Sequence, residues 1–298
     1  MTENSPFLPG NDAAYRRWRE RKLAARPRSA RELTVVIGDP QALTAAERGA
    51  IIANCRRSNL CFYRARRAPR DRAAFKRLGE QIGLAALVGN PCADAARISH
   101  ITAVPGSRYI PYTNKALNWH TDGYYNEPGD TVRAFSMHCL HPAGRGGENH
   151  YLDPELIYIL LRDDDPRHIE QLMHPRAMTL PANMDNGAVV RPARSVPVFA
   201  VDAGGALLMR YSARARNLEW RAECRAAAAR LGEVLEEAAQ WRICRRLAAS
   251  EGVICNNVLH NRAAFEDGGA HARHLYRARY RDRVEGGGWR SLMGRAPC

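Results

Sequence analysis

Three residues of this chain have the types and spacing to bind a redox metal. His120 and Asp122, within Asn118-Trp119-His120-Thr121-Asp122-Gly123, are two apart, so on a strand both side chains leave one face and can reach one ion. A second imidazole, His260, ends the apolar run that begins at Gly252 and continues through Val253, Ile254, Val258 and Leu259. Two imidazoles and one carboxylate leave half of an octahedral iron open for chemistry. The pattern implies an oxygen-activating enzyme.

Other histidines imitate parts of this pattern. His168-Ile169-Glu170 repeats the His-x-acid spacing, but its Asp/Arg-rich surroundings read as a helix, where positions two apart diverge. His138 and His141 flank Cys139 in an apolar strand without an acidic partner, and are expected as core or hydrogen-bonded histidines. His271 and His274, around Arg273 at a strand entrance, are expected to be solvated. What sets His120 and Asp122 apart is order along the chain. A Trp precedes the His, a Gly follows the Asp, a Gly146-Gly147 turn comes one hairpin later, and Arg273 and Arg277 follow His260. Four apart on a strand, those arginines share a face.

With these motifs the chain resembles the TauD/TfdA family of Fe(II)/2-oxoglutarate-dependent dioxygenases, within the clavaminate synthase-like superfamily. The matching residues are Trp119-His120-Thr121-Asp122, Gly146-Gly147-Glu148-Asn149, Leu259-His260-Asn261-Arg262-Ala263-Ala264-Phe265 and Arg273-x-x-x-Arg277, and the similarity runs from about Phe62 to Asp282. The resemblance implies an α+β fold with a double-stranded β-helix core, a cupin-like jelly roll with flanking helices. It implies His120, Asp122 and His260 as iron ligands, Fe(II), 2-oxoglutarate and O2 as cofactors and co-substrates, and release of succinate and CO2. Arg273 would hold the distal carboxylate of 2-oxoglutarate, a role that suits a planar guanidinium that cannot lose its proton. Arg277 would sit beside it and face the substrate. Two positions depart from the family pattern. Asn149 stands where a Thr commonly supports the co-substrate carboxylate, and Ile254-Cys255 replaces the usual Asp-Asn, with Asn256 and Asn257 shifted towards His260.

Substrate-side candidates are Arg277, Asn118, Tyr124 and Arg210, with Tyr112, Asn114, Tyr125 and Arg214 around the same mouth. Aromatic and basic together, they suit a small anionic or zwitterionic molecule that the enzyme hydroxylates or otherwise oxidises. Two alternatives remain at this stage: the same chemistry on a carrier-bound or peptidyl substrate, and a non-catalytic basic binding protein on a jelly-roll scaffold.

Composition bounds the partners. The chain has 298 residues, 45% hydrophobic content and a formal net charge of +14. Only Lys22, Lys76 and Lys115 of its 45 basic residues are lysines, a skew that base composition explains better than phosphate contacts do. Residues 1–80 carry 18 basic and 8 acidic side chains, so the excess is concentrated there. The run Arg16-Arg17-Trp18-Arg19-Glu20-Arg21-Lys22 reads as a solvated Arg-rich helix packed by Trp18 and Leu23 rather than a nucleic-acid surface. No stretch approaches the roughly 18 apolar residues of a membrane span, and the start lacks a signal-peptide core, so a cytoplasmic protein is expected. Homo-oligomerisation stays open. The 8 cysteines are scattered without a Cys-x-x-Cys pair, which reads as free thiols in a reducing compartment.

The elements needed to position these residues can be placed coarsely. Helices are expected at about 12–25, at 45–57 behind a Thr44/Glu47 capping box, at 71–82 and at 219–248. Strands are expected at 33–37 and 59–64, near Ile98, and at 133–139, 148–152, 188–191, 196–201 and 206–211. The first of these are expected to cover the barrel as a separate layer. The organisation expected is one domain, 1–298, with a basic helical segment at 1–32 and a catalytic core at about 60–283.

Overall fold

The computed structural model describes residues 5–69, 71–90, 92–214, 218–268 and 271–285. Two sheets dominate it, and the alternation of side chains between the two faces of each strand decides which of them meet. The larger has six strands in the order Thr34–Ile37, Leu60–Ala65, Glu251–Cys255, Ala134–His141, His274–Tyr280 and Ser99–Ile101. Its first pair is parallel and the others are antiparallel. The smaller is antiparallel, in the order Ile243–Arg245, Asn149–Leu152, Leu259–Arg262 and Leu117–His120.

Alternate residues of each strand enter different cores. Phe62, Phe135, Met137, Val253, Cys255 and Leu275 of the large sheet pack with Tyr151 and Ile243 of the small one, so this cluster fills the space between the sheets. Cys61, Tyr63, Ala134, Ile254, Ala278 and Tyr280 face the other way, onto the helices Ala45–Ser58 and Arg72–Glu80. Behind the small sheet, Trp119, Leu152 and Leu259 pack on the helices Pro154–Asp164 and Arg225–Glu237 and on the N-terminal helix Asp12–Ala24.

Several expectations need correction. Thr34–Ile37 and Leu60–Ala65 are not a layer over the sheet; they are strands of it. The helix expected over 219–248 is confined to Arg225–Glu237 plus short turns, because Glu219–Trp220 pairs with Met178–Thr179 and Ile243–Arg245 pairs with Asn149–Tyr151. Strand pairing overrides the helix propensity of that Ala-rich segment. The strand expected at 196–201 is split at Pro197, which has no N–H to give a ladder. The helix Pro154–Asp164 was not anticipated. It is buried almost all round, so its apolar residues make no one-sided stripe.

The capping box holds: Thr44 and Glu47 exchange both bonds at the start of Ala45–Ser58. The N-terminal helix is only half as expected. Trp18 is buried and Arg16, Arg17 and Arg21 are exposed, but Lys22 is buried and bridges Asp153 at 2.6 Å and Glu155 at 2.5 Å. No helix among the described residues is long and apolar enough to cross a membrane. The cysteines described are all free, most of them buried, with Cys92 and Cys244 exposed; Cys298 lies outside the described residues.

Candidate active site

The antiparallel register of the small sheet sets His260 directly opposite His120, and their ring centroids are 4.2 Å apart. Each ring is oriented by its own strand. His120 Nδ1 lies 2.9 Å from the Asn118 carbonyl and His260 Nδ1 lies 3.0 Å from the Val258 carbonyl. A carbonyl only accepts, so each Nδ1 carries a proton, and in the neutral ring the lone pair is left on Nε2. Both Nε2 atoms converge on one carboxylate oxygen: Asp122 Oδ1 is 3.7 Å from that of His120 and 3.9 Å from that of His260.

Asp122 follows the strand and is held from below. Asn257 Oδ1 accepts from its N–H at 2.8 Å, and Asn257 Nδ2 donates to its carbonyl at 3.0 Å. The next residue must be small. Gly123 has φ +62°, and a Cβ there would come within 2.5 Å of Val132 Cγ2. Asp122 Oδ2 is buried without a hydrogen-bond partner. Three donor atoms within 4.8 Å of one another, one carboxylate oxygen orphaned, could hold a divalent ion. Two nitrogens and an oxygen with positions left over suit iron.

Burial alone would raise the Asp122 carboxyl. The Arg277 guanidinium, His120, Arg279 and His260 together outweigh it and hold the group below the ordinary carboxylate range. Burial, reinforced by His120, pushes His260 down to about 3. The site is therefore set to present a carboxylate and a neutral His260 at physiological pH, the protonation states that a metal needs.

Arg273, Asn149 and Tyr151 border this cluster. Arg273 is buried over the Phe265 ring at 4.9 Å, and its Nη1 has no partner. The Tyr151 hydroxyl is likewise buried and unpartnered, on the residue that pairs in register with His260. The Gly146-Gly147 turn lets the chain pass close beneath them: a Cβ on Gly146 would lie 2.3 Å from the Ala264 carbonyl. Asn149 shares the Tyr151 face, and its amide donates to the Gly147 carbonyl at 3.3 Å.

The remaining candidates are distributed differently. Arg277 is buried, with Nη1 3.3 Å from Asp122 Oδ1. Arg210 is committed to the loop after Asp122, donating to the Tyr124 carbonyl (3.3 Å), the Asn126 carbonyl (2.7 Å) and Thr131 Oγ1 (2.6 Å). Tyr124 packs edge-on to Tyr125 with centroids 5.2 Å apart. Asn118 is exposed and meets the site through its carbonyl alone. His168 sits on the helix Pro166–Leu172 and faces Asp164 at 3.2 Å, outside the cluster.

His138 is a core histidine as expected, 3.0 Å from the Tyr63 hydroxyl. His271 is exposed as expected, stacked on His141 with ring centroids 4.5 Å apart. The expectation of a solvated His274 needs correction: it is half-buried in register with His141, and its Nε2 is 3.0 Å from His100 Nδ1.

Sequence reasoning missed Tyr151, Arg279 and the grip of Asn257. A signal existed for the first two: Tyr151 is two from Asn149 and Arg279 is two from Arg277, so each shares a strand face with a residue already singled out. Asn257 gave no such signal, since its use depends on a loop from elsewhere in the chain.

Residues 21–279 match the profile of the "Taurine catabolism dioxygenase TauD, TfdA family". A uridine-5'-phosphate dioxygenase of Amycolatopsis sp. is 28% identical over 197 residues, covering 62% of this chain and 69% of that protein. Among solved structures, a taurine dioxygenase from Burkholderia xenovorans aligns with a TM-score of 0.56 at 17% identity, covering 90% of this chain and 96% of that one. An asparagine oxygenase in complex with Fe(II), 3-hydroxyasparagine and succinate aligns with a TM-score of 0.53 at 17% identity, covering 92% of each chain.

Proposed function

The chain belongs to the TauD/TfdA family and is an Fe(II)- and 2-oxoglutarate-dependent dioxygenase, and from that premise we propose that His120, Asp122 and His260 hold its iron. The observation that carries the assignment is the convergence of two imidazole Nε2 atoms on one oxygen of a buried carboxylate. When bound, Fe(II) with 2-oxoglutarate and O2 supplies oxidation of a substrate C–H bond, with release of succinate and CO2.

The chain's own residues prepare that chemistry. The Asn118 and Val258 carbonyls fix the imidazole tautomers, and Asn257 fixes the height of Asp122. Arg277 keeps Asp122 ionised. Arg273 and Tyr151 offer two unpartnered buried donors to the distal carboxylate of 2-oxoglutarate, and Asn149 supports the turn beside them. The wall of Phe135, Tyr151 and Phe62 excludes water from the rear of the His260 ring.

The core is read as a double-stranded β-helix within a single catalytic domain. Two face-to-face sheets, with both histidines on the inner face of the small one, support that reading. The substrate is read as a small anionic molecule. The basic inner face of the site supports this, as does the nucleotide named for the Amycolatopsis relative.

The test is anaerobic titration of the metal-free protein with Fe(II) and 2-oxoglutarate, watching for the visible charge-transfer band of the chelate. The band should form in the native protein and be lost in His260→Ala and Asp122→Asn. A full-strength band in either variant would remove that residue from the metal site.

A further inference from the structure

The inner face of the site holds more positive charge than the cofactors can use. Arg277 and Arg279 lie on the side of the strand His274–Tyr280 that faces the small sheet, Arg273 stands one residue before that strand, and all three are buried. Among the described residues no carboxylate side chain pairs with Arg273 or Arg279, and Asp122 alone pairs with Arg277. Fe(II) would bring two more positive charges, and 2-oxoglutarate would cancel two. Three guanidinium charges then face one carboxylate, leaving a surplus of two positive charges on buried side chains. A buried charge is tolerated only with a partner.

Arg279 is poised to use that surplus. Its Nη2 donates to the Gly89 carbonyl at 2.8 Å and its Nη1 to the Tyr125 hydroxyl at 3.3 Å, which leaves its Nε buried without a partner. The Nε of Arg277 is buried and unpartnered as well. Two apart on one strand face, the two guanidiniums are spaced to grip a single tetrahedral group. Tyr125, at the edge of the pair, adds a hydroxyl donor, and Tyr112, whose hydroxyl donates to Asn90 Oδ1 at 3.4 Å, lies close to Arg277.

We propose that Arg277 and Arg279 together form a subsite for a dianionic phosphate monoester on the substrate, and that Arg279 selects two negative charges over one. This rests on the assignment of the iron and co-substrate sites above. A phosphate monoester carries a charge near −2 at neutral pH and matches the surplus; a sulfonate, sulfate ester or single carboxylate cancels half of it.

Methyl phosphate and methyl sulfate test the charge directly, having the same tetrahedral shape. With the Fe(II)/2-oxoglutarate protein under anaerobic conditions, binding is read from the broadening of each ester's methyl proton line by the paramagnetic iron. Methyl phosphate should bind about tenfold or more tightly, roughly 1.4 kcal/mol by the affinity scale. The preference should vanish in Arg279→Leu and return in part in Arg279→Lys. Equal binding of the two esters by the native protein overturns the proposal without any variant, and so does an undiminished preference in Arg279→Leu. The charge-transfer band separates the two levels. If it forms while the esters bind alike, only the subsite fails; if it never forms, the charge count collapses and both readings fall.

Discussion

Asn257 holds Asp122 by both of its backbone polar groups, its amide oxygen taking the N–H at 2.8 Å and its amide nitrogen reaching the carbonyl at 3.0 Å. A second donation, to the Val132 carbonyl at 2.8 Å, ties the loop's return to the same amide. The carboxylate is therefore placed by a side chain that never touches the metal position. Partners of this kind, orienting a ligand from behind, typically change metal affinity by about 10–100-fold when removed.

Asn257→Gly should accordingly weaken Fe(II) binding by about tenfold or more. Glycine is the informative replacement because Asn257 has φ +49°, where alanine would add backbone strain of its own. Fe(II) titration followed by the charge-transfer band measures the effect, and native affinity would show the grip to be idle.

Arg273 and Tyr151 should act on the co-substrate. Arg273→Ala removes a charge-assisted bond and should raise the 2-oxoglutarate concentration for half-saturation by about tenfold or more. Tyr151→Phe removes one neutral hydroxyl and should raise it several-fold, about 1 kcal/mol. Arg277→Ala should instead depress Fe(II) binding and substrate turnover, since its partner is Asp122. Should Arg277→Ala shift 2-oxoglutarate most, the two arginines have exchanged roles.

The triad and the arginine motif were legible from residue type and order, and the strand-face argument holds only in part. The strand ends at His120 and Asp122 lies in the turn after it, while Arg273 stands one residue before the strand that carries Arg277. What spacing cannot show is which face of one sheet meets which face of another. Tyr151 and Arg279 look like ordinary strand residues until the two sheets are stacked, and the Pro154–Asp164 helix hides its type by being apolar on every side. Lys22 was misread for a related reason. In a run of arginines it looks solvated, and its burial depends on Asp153 and Glu155 at the start of the Pro154–Asp164 helix, which packs beside it behind the small sheet. The net positive charge was likewise read as composition, although Arg162, Arg262, Arg273, Arg277 and Arg279 are buried. Arg262, for example, donates to the Pro111, Thr113 and Lys115 carbonyls.

Lys22 therefore carries a stability prediction. It is 1% exposed between two carboxylates, and Asp153 also caps the Pro154–Asp164 helix through the Glu155 N–H at 3.0 Å. Lys22→Met would leave two buried like charges facing each other and should cost about 3–5 kcal/mol. Lys22→Met combined with Glu155→Gln should recover part of the loss, because one uncompensated charge is removed. Chemical denaturation of the three proteins decides it; a single variant as stable as the native protein would mean the pair is not closed to water.

His138 gives the pH dependence. It is fully buried between Tyr63, 8° from parallel at 5.9 Å, and Phe75, and burial lowers its pKa from 6.5 to about 4. The sign follows from proton uptake: between those values the unfolded chain takes a proton at this position and the folded chain does not. Stability from this group is complete above pH 6.5 and is lost as pH falls towards 4, by about 3 kcal/mol across the window. His138→Phe cannot titrate, but it strips the Tyr63 hydroxyl of its partner and should begin about 1–2 kcal/mol less stable at pH 7.5. Other groups titrate in the same range and affect both proteins alike, so the difference between them isolates His138. That difference should shrink steadily in urea denaturation at pH 7.5, 6 and 5, and the variant should overtake the native protein near the acid end. A constant difference would mean that His138 takes up its proton in the folded state as readily as in the unfolded one.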